Sequence, residues 1–184
     1  MKYCPDCGHT VQFRVPEGDH LPRAVCDRCG AVHYENPRVV VGCVPEWRGR
    51  ILLCRRAIEP RVGFWTLPAG FMEVGETAEQ SAMREAREEA NASIVIDRLL
   101  AVYTIPRIAQ VQIMYLAHLA APEVSPGPES LEVFLASWDE IPWGDLAFPS
   151  ARWALERYRS VEETGDFAPF ANPPGEFGGP DPMT

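Results

Sequence analysis

Two groups of residues in this chain have the types and spacing to do chemistry. Four cysteines fall as two Cys-x-x-Cys pairs, Cys4 with Cys7 and Cys26 with Cys29, with 18 residues between the pairs and Gly8 or Gly30 after each. That spacing matches a four-thiolate zinc site, in which each pair wraps the metal in a tight turn. Four thiolates close the tetrahedron and leave no position for substrate, so one zinc per chain would fold this segment without catalysing. A thioredoxin-like redox pair needs a βαβ context that these residues lack. The second group is Glu85, Glu88 and Glu89, which fall within about 100° of one another on a helical wheel. A loop with Gly70, Gly75 and Glu76 comes directly before them. Carboxylates beside a free backbone carbonyl suit a hard cation such as Mg²⁺, which is commonly shared with substrate phosphates. An acidic run by itself is more often a solvated helix face, with Arg84 and Glu88 as an i,i+4 pair.

The elements that must position these groups follow from pattern. Residues 1–34 hold few aliphatic side chains and cannot make a core of their own, which predicts a metal-folded ribbon. The β-branched runs RVVVGCV (38–44) and ILLCRR (51–56), separated by EWRGR, predict a hairpin. GFWTLPAGFMEVGE (63–76) is punctuated by Gly and Pro, and TAEQSAMREAREEA (77–90) is built from strong helix formers. Thr77 and Gln80 make a capping box at the helix start, and Met83, Ala86 and Ala90 are expected on its packing side. Strands are expected at Ile94–Ile105, Val111–Ala120 and 131–137, with a loop over 121–130 and a closing helix over 149–163 that has Pro149 in its first turn. The main α/β domain is thus expected over 35–165. Residues 166–184 carry five Pro, three Gly and three acidic side chains with no basic one, the composition of a disordered or loosely draped tail.

Charge and composition exclude some classes. The 184 residues carry a net charge of −9, which disfavours a general binder of nucleic acid or anionic membrane. In residues 1–34 Lys2, Arg14, Arg23 and Arg28 balance Asp6, Glu17, Asp19 and Asp27. A neutral ribbon suits packing or homodimerisation better than phosphate contact, so nucleic acid is an unlikely partner. The longest uncharged stretch, 15 residues from Ile108 to Pro122, includes Gln110, Gln112 and His118 and is too short and polar to span a bilayer. No secretory or transit leader is visible, so a cytoplasmic location is expected. Cys43 and Cys54, inside predicted strands, suit small buried hydrophobes.

At the acidic helix the chain resembles a known family. Gly70, Glu76, Arg84, Glu85, Glu88 and Glu89 match the Nudix box, Gly-x5-Glu-x7-Arg-Glu-U-x-Glu-Glu-x-Gly-U, with Asn91 where the family has Gly and Ala86 and Ala92 where it prefers larger aliphatics. Asn also tolerates the left-handed conformation of a helix end. The four-cysteine ribbon, YENPRVVVG, LLCRR, WTLPAGF and PGPESLE together resemble zinc-ribbon Nudix hydrolases of the plant FAD pyrophosphatase type and their bacterial relatives, the ADP-ribose pyrophosphatases. The resemblance implies a Nudix α/β/α sandwich with a mixed sheet and dependence on Mg²⁺ or Mn²⁺. It also implies hydrolysis of a nucleoside diphosphate linked to a moiety X, a small-molecule substrate. Glu85, Glu88 and Glu89 then match the metal-binding glutamates, the carbonyl of Ala69 or Gly70 the backbone ligand, and Arg84 the arginine that orients a glutamate. A further acidic ligand is expected from Glu129, with Glu132 second. Which of Glu85, Glu88 and Glu129 is the general base stays open.

For substrate, FAD or ADP-ribose is favoured, with release of AMP. Enzymes of the NADH pyrophosphatase group carry SQPWPFPxS after the box; here VYTIPRIAQ keeps a proline but loses the aromatics and serines, which demotes NADH and NAD-capped RNA. Tyr103, Phe71, Trp65 and Tyr115 are candidate ring contacts, Arg55, Arg56 and Arg107 candidate phosphate contacts, and His118 reads as structural. The alternatives are a Nudix enzyme acting on NADH, capped RNA or nucleoside triphosphates, and a catalytically silent zinc-ribbon interaction module. Three like charges kept side by side at a cost in repulsion weigh against silence.

Overall fold

The computed structural model of the chain describes residues 1–165 and 168–178. It divides into two compact units, Met1–Pro37 and Arg38–Thr184.

The first unit is a three-stranded antiparallel sheet of β1 (Val11–Arg14), β2 (Arg23–Cys26) and β3 (Val32–His33). Its buried cluster is Cys4, Val11, Ala24 and Cys26, far too little apolar surface to hold a fold without a metal staple.

In the second unit β4 (Arg38–Trp47) and β5 (Arg50–Arg56) form the expected hairpin. Its turn is Arg48 and Gly49, both at positive φ, as a two-residue primed turn requires. The two strands pair only at the tip, Glu46 with Ile51 and Trp47 with Arg50. Below it they splay, and the gap takes β6 (Trp65–Thr66), paired to β5, and β7 (Ala69–Phe71), paired to β4. The other edge of β4 pairs in parallel with β9 (Gln110–Leu119) over its whole length. With β8 (Ile94–Ile105) and β10 (Ser130–Ala136) the spine of the mixed sheet runs β10-β5-β4-β9-β8.

A helix covers each face. Helix α1 (Ala78–Ala90) starts on Thr77, whose side chain accepts from the Gln80 backbone N–H while Gln80 returns the bond, and ends on Asn91 at φ 48. Its Ala82, Ala86 and Ala90 pack on Val41, Cys43, Leu52, Cys54 and Tyr115. Small side chains bring the helix axis close to the strands. Ala82 takes the place expected of Met83, which is exposed. Helix α2 (Pro149–Thr164) lays Trp153, Leu155 and Tyr158 on Leu53, Leu100, Tyr103 and Met114. Burial alternates along β5, Ile51 and Leu53 on the α2 side and Leu52 and Cys54 on the α1 side, as the pleat dictates.

The expected tail needs correction over 168–178. Phe170 bridges to Ala101, its N–H bonding Leu100 O and its carbonyl accepting from Val102, and the Asn172 side chain bonds both backbone groups of Thr104. Trp153 Nε1 donates to Glu176 at 2.6 Å. Proline and glycine remove helix and sheet propensity but leave a chain free to dock on an open strand edge, which β8 offers. Residues 166, 167 and 179–184 lie outside the described residues.

Candidate active site

The splay between β4 and β5 positions the acidic residues. Through that gap residues 65–71 bring Ala69 and Gly70 against α1, and a Cβ built on Gly70 would overlap the Glu85 carboxylate. Any side chain there would have to push that carboxylate aside. Glu85 and Glu89 are buried at 7% and 5% exposure, while Glu88 stands out into solvent. They lie beside the packing face of α1, not on an opposite solvated one.

Arg84 ties this cluster together. Its Nε and Nη2 reach Glu76 at 3.1 and 2.8 Å, Nη1 reaches Glu85 at 2.6 Å and Glu88 at 3.0 Å, and Nη2 also bonds Phe71 O. The guanidinium holds the Glu76 carboxyl at about 2. Burial has the opposite effect on Glu89, raising its carboxyl to about 8, with the Glu85 charge adding to it. Among the described residues Glu89 Oε2 has no hydrogen-bond partner. A buried carboxylate oxygen aimed at nothing is costly unless a cation meets it, so the donor set fits a hard divalent ion.

Glu129 comes from the loop before β10. There Gly127 N–H bonds Glu89 O at 2.9 Å and Ser125 N–H bonds Ala90 O at 3.0 Å. A Cβ on Gly127 would fall on the Glu88 carbonyl. The Asn91 side-chain amide donates to Ser125 O, Ser125 Oγ and Pro126 O at 3.1 to 3.2 Å. The loop is thus bolted to the end of α1. Its Glu129 lines the same cleft of about 520 Å³ as Glu85, Glu88, Glu89, Ala69, Gly70, Arg56 and Phe71.

Other expected contacts lie outside this cleft. Tyr103 is fully buried, edge-on to Trp153 at 5.3 Å, and Tyr115 is buried under α1. Trp65 packs edge-on against Phe134 at 4.8 Å. Arg55, one residue from Arg56 and so on the opposite face of β5, bonds Gly63 O and pairs with Glu132 at 3.7 Å, which takes both out of the cleft. Arg107 reaches Gly178 O. His118 pairs with Asp97 at 2.7 Å at the surface. Sequence reasoning passed over Gln110 and Gln112, which line the cleft. Their alternation on β9, opposite in phase to the face marked by Ile113 and Tyr115, was the available signal.

In the ribbon unit, Cys4 Sγ and Cys29 Sγ lie 3.7 Å apart and Cys7 Sγ and Cys26 Sγ 3.5 Å. All four sulfurs fall within 4.8 Å of one another. A tetrahedron with Zn–S bonds of about 2.3 Å has edges of about 3.8 Å, so the cluster fits one zinc ion. Both pairs share one turn, with Gly8 N–H bonding Cys4 O and Gly30 N–H bonding Cys26 O at 2.9 Å each. The N–H groups of Cys29 and then Arg28 lower the Cys26 thiol to about 7, toward the thiolate a metal needs.

Comparison with known proteins agrees with this arrangement. Residues 36–169 match the family model described as NUDIX domain, and residues 2–35 the zinc-ribbon model described as Nudix N-terminal. The chain belongs to the Nudix family, with an N-terminal zinc ribbon of the kind found there. A crystal structure of a NUDIX hydrolase from Nitrosomonas europaea superposes with a TM-score of 0.89 at 49% identity, over 94% of this chain and 99% of that one. The NAD-capped RNA hydrolase NudC of Stutzerimonas stutzeri is 31% identical over 160 residues, 85% of this chain and 54% of that protein. The ADP-ribose pyrophosphatase of Methanocaldococcus jannaschii is 32% identical over 119 residues, 62% of this chain and 69% of that protein. This chain spans about half the length of the NAD-capped RNA hydrolases it matches. Relatives so named withdraw the expectation that nucleic acid is an unlikely partner. No helix among the described residues is long and apolar enough to cross a membrane.

Proposed function

We propose that this protein hydrolyses the pyrophosphate of an ADP-linked substrate, ADP-ribose or FAD, to AMP and X-phosphate. The observation that carries the reading is the buried Glu89 carboxylate, whose Oε2 has no hydrogen-bond partner among the described residues, lining one cleft with Glu85, Glu88 and Glu129. Mg²⁺ or Mn²⁺ held by these four glutamates and a carbonyl of Ala69 or Gly70 would offset the diphosphate charge and acidify a bound water. Arg84, fully engaged with Glu76, Glu85 and Glu88, orients carboxylates and does not touch substrate. Arg56 lines the same cleft, where its charge meets phosphate, and Glu85, Glu88 or Glu129 accepts the proton of the attacking water. Zinc in the ribbon is structural. Exposed Phe13 and Tyr34 on the ribbon, 64% and 62% accessible, support a homodimer, for which light scattering should return twice 20.5 kDa.

The relatives named as NAD-capped RNA hydrolases favour a second reading, in which NADH or an NAD-capped 5′ end supplies the same pyrophosphate. One assay separates the two. Products are followed by chromatography, AMP from ADP-ribose, FAD and NADH, NMN and 5′-monophosphoryl RNA from NAD-capped RNA, and dNMP from a dNTP, with and without Mg²⁺. The first reading expects metal-dependent AMP from ADP-ribose or FAD at the highest kcat/KM. Preference for NADH or capped RNA establishes the second, and turnover of the dNTP alone overturns both.

A further inference from the structure

The cleft has a second wall that the carboxylates do not use. Strand register aligns Phe71 of β7 with Val40 of β4, and Val40 with Gln112 of β9, so the three lie in one row across the sheet. One step along, Arg38 pairs with Gln110, and its guanidinium sits 4.9 Å from the centre of the Phe71 ring. Phe71 is 48% exposed. Gln110 and Gln112, both half-buried, point into the cleft and bond each other, Gln112 Nε2 to Gln110 Oε1 at 3.0 Å.

That single bond leaves the Gln110 amino group and the Gln112 carbonyl oxygen with no partner among the described residues. Turning both amides over exchanges the roles and leaves the same surplus, one N–H donor set beside one acceptor. Adenine matches that surplus. On its Hoogsteen edge it presents an N6–H donor beside the N7 acceptor, and glutamine is a natural partner for that edge. Guanine and hypoxanthine place two acceptors, O6 and N7, on the Hoogsteen edge, which sets an oxygen against the glutamine carbonyl. The faces of the purine ring find Phe71, Val40 and Ile108 on the same lining. We propose that Gln110 and Gln112, with Phe71, form an adenine subsite that selects the base of the substrate. Its link to turnover rests on the pyrophosphatase reading above.

AMP has no pyrophosphate, so its binding can be measured calorimetrically with Mg²⁺ present and without turnover. The comparison ligand is purine riboside 5′-monophosphate, which lacks only the 6-amino group. The full chain should bind AMP about tenfold more tightly than this analogue, the usual size of one base-edge contact. In Gln112→Leu, which removes the acceptor for the 6-amino group, the preference should fall to about one, while Gln110→Leu, which removes the donor to the ring nitrogen both ligands share, should weaken both about tenfold. With the two amides turned over the variants exchange these results, and thermal midpoints confirm that both fold. For ADP-ribose hydrolysis the variants should raise KM about tenfold and leave kcat within about threefold, the signature of lost binding common to ground and transition states. Equal binding of the two ligands by the wild type, no binding of AMP, or an AMP preference that survives in both variants overturns the subsite. If the AMP preference is present and is lost in one of the two variants, yet no ADP-linked substrate is cleaved, the subsite stands and the pyrophosphatase reading fails.

Discussion

Glu89 is the residue on which site and fold make opposite demands. Its carboxylate is nearly out of water, with one oxygen unbonded, so without a cation it only costs stability. Glu89→Gln removes that charge at constant size. Turnover of the preferred substrate should fall by at least ~10²-fold, while the melting temperature in metal-free buffer stays level or rises; a variant with wild-type turnover refutes the ligand role. Gly70→Ala tests the geometry from the backbone side. The added methyl displaces the Glu85 carboxylate, so activity should be lost with a stability cost of about 1–3 kcal/mol, the range for overpacking, as a denaturation curve would show. The acidic positions were legible because spacing on a helix sets their mutual direction. Tyr103 and Trp65 were not, since an aromatic side chain suits a core and a ligand pocket equally well and only strand phase decides between them. Arg55 and Arg56 carry the same lesson, one residue and one face apart.

At the scale of elements, the end of α1 does two jobs. Asn91 departs from the family glycine, and its left-handed backbone alone would predict that Asn91→Gly is stabilising. Its amide, however, anchors the loop that carries Glu129 through bonds to Ser125 and Pro126. Asn91→Gly should therefore lose about 1–2 kcal/mol of stability and let residues 125–129 exchange amide hydrogens faster, with a fall in kcat; unchanged exchange would show that Gly127 alone seats the loop. The segment 168–178 is the element least visible in composition, because its docking depends on backbone groups of β8 and on one Trp–Glu bond. Ending the chain after Gly165 uncovers the β8 edge and Trp153. The melting temperature should drop by several degrees, as expected for a loss of ~1–3 kcal/mol in a domain of this size, and the truncated protein should associate through the bare edge. The helices and most strands were legible from period and caps, whereas the wedge of β6 and β7 into a splayed hairpin was not, because two- and three-residue strands leave no periodic trace.

At the scale of the molecule, stability is divided between a unit with a real core and one whose core is largely its cysteine cluster. Chelation should remove one zinc per chain, after which limited proteolysis should cut within residues 1–37 while the fragment from Arg38 onward survives with its cooperative melting intact. Loss of both together would contradict this division. The boundary was legible as a change from cysteine-rich to β-branched sequence; the parallel neighbour of β4 was not, since nothing local in either strand names its partner. That pairing also sets an order in time. Every residue of β4 from Arg38 to Glu46 meets a partner 72 positions downstream, and its hairpin with β5 supplies only two pairs. On a ribosome the ribbon can close on its metal at once, since its contacts are local. The stretch Val39–Val44 can meet β7 early on one edge, at Val40 to Gly42, but its other edge must wait unpaired until β9 emerges. A nascent chain halted near Ala109 presents that edge open, and it should associate through it more readily than the completed chain.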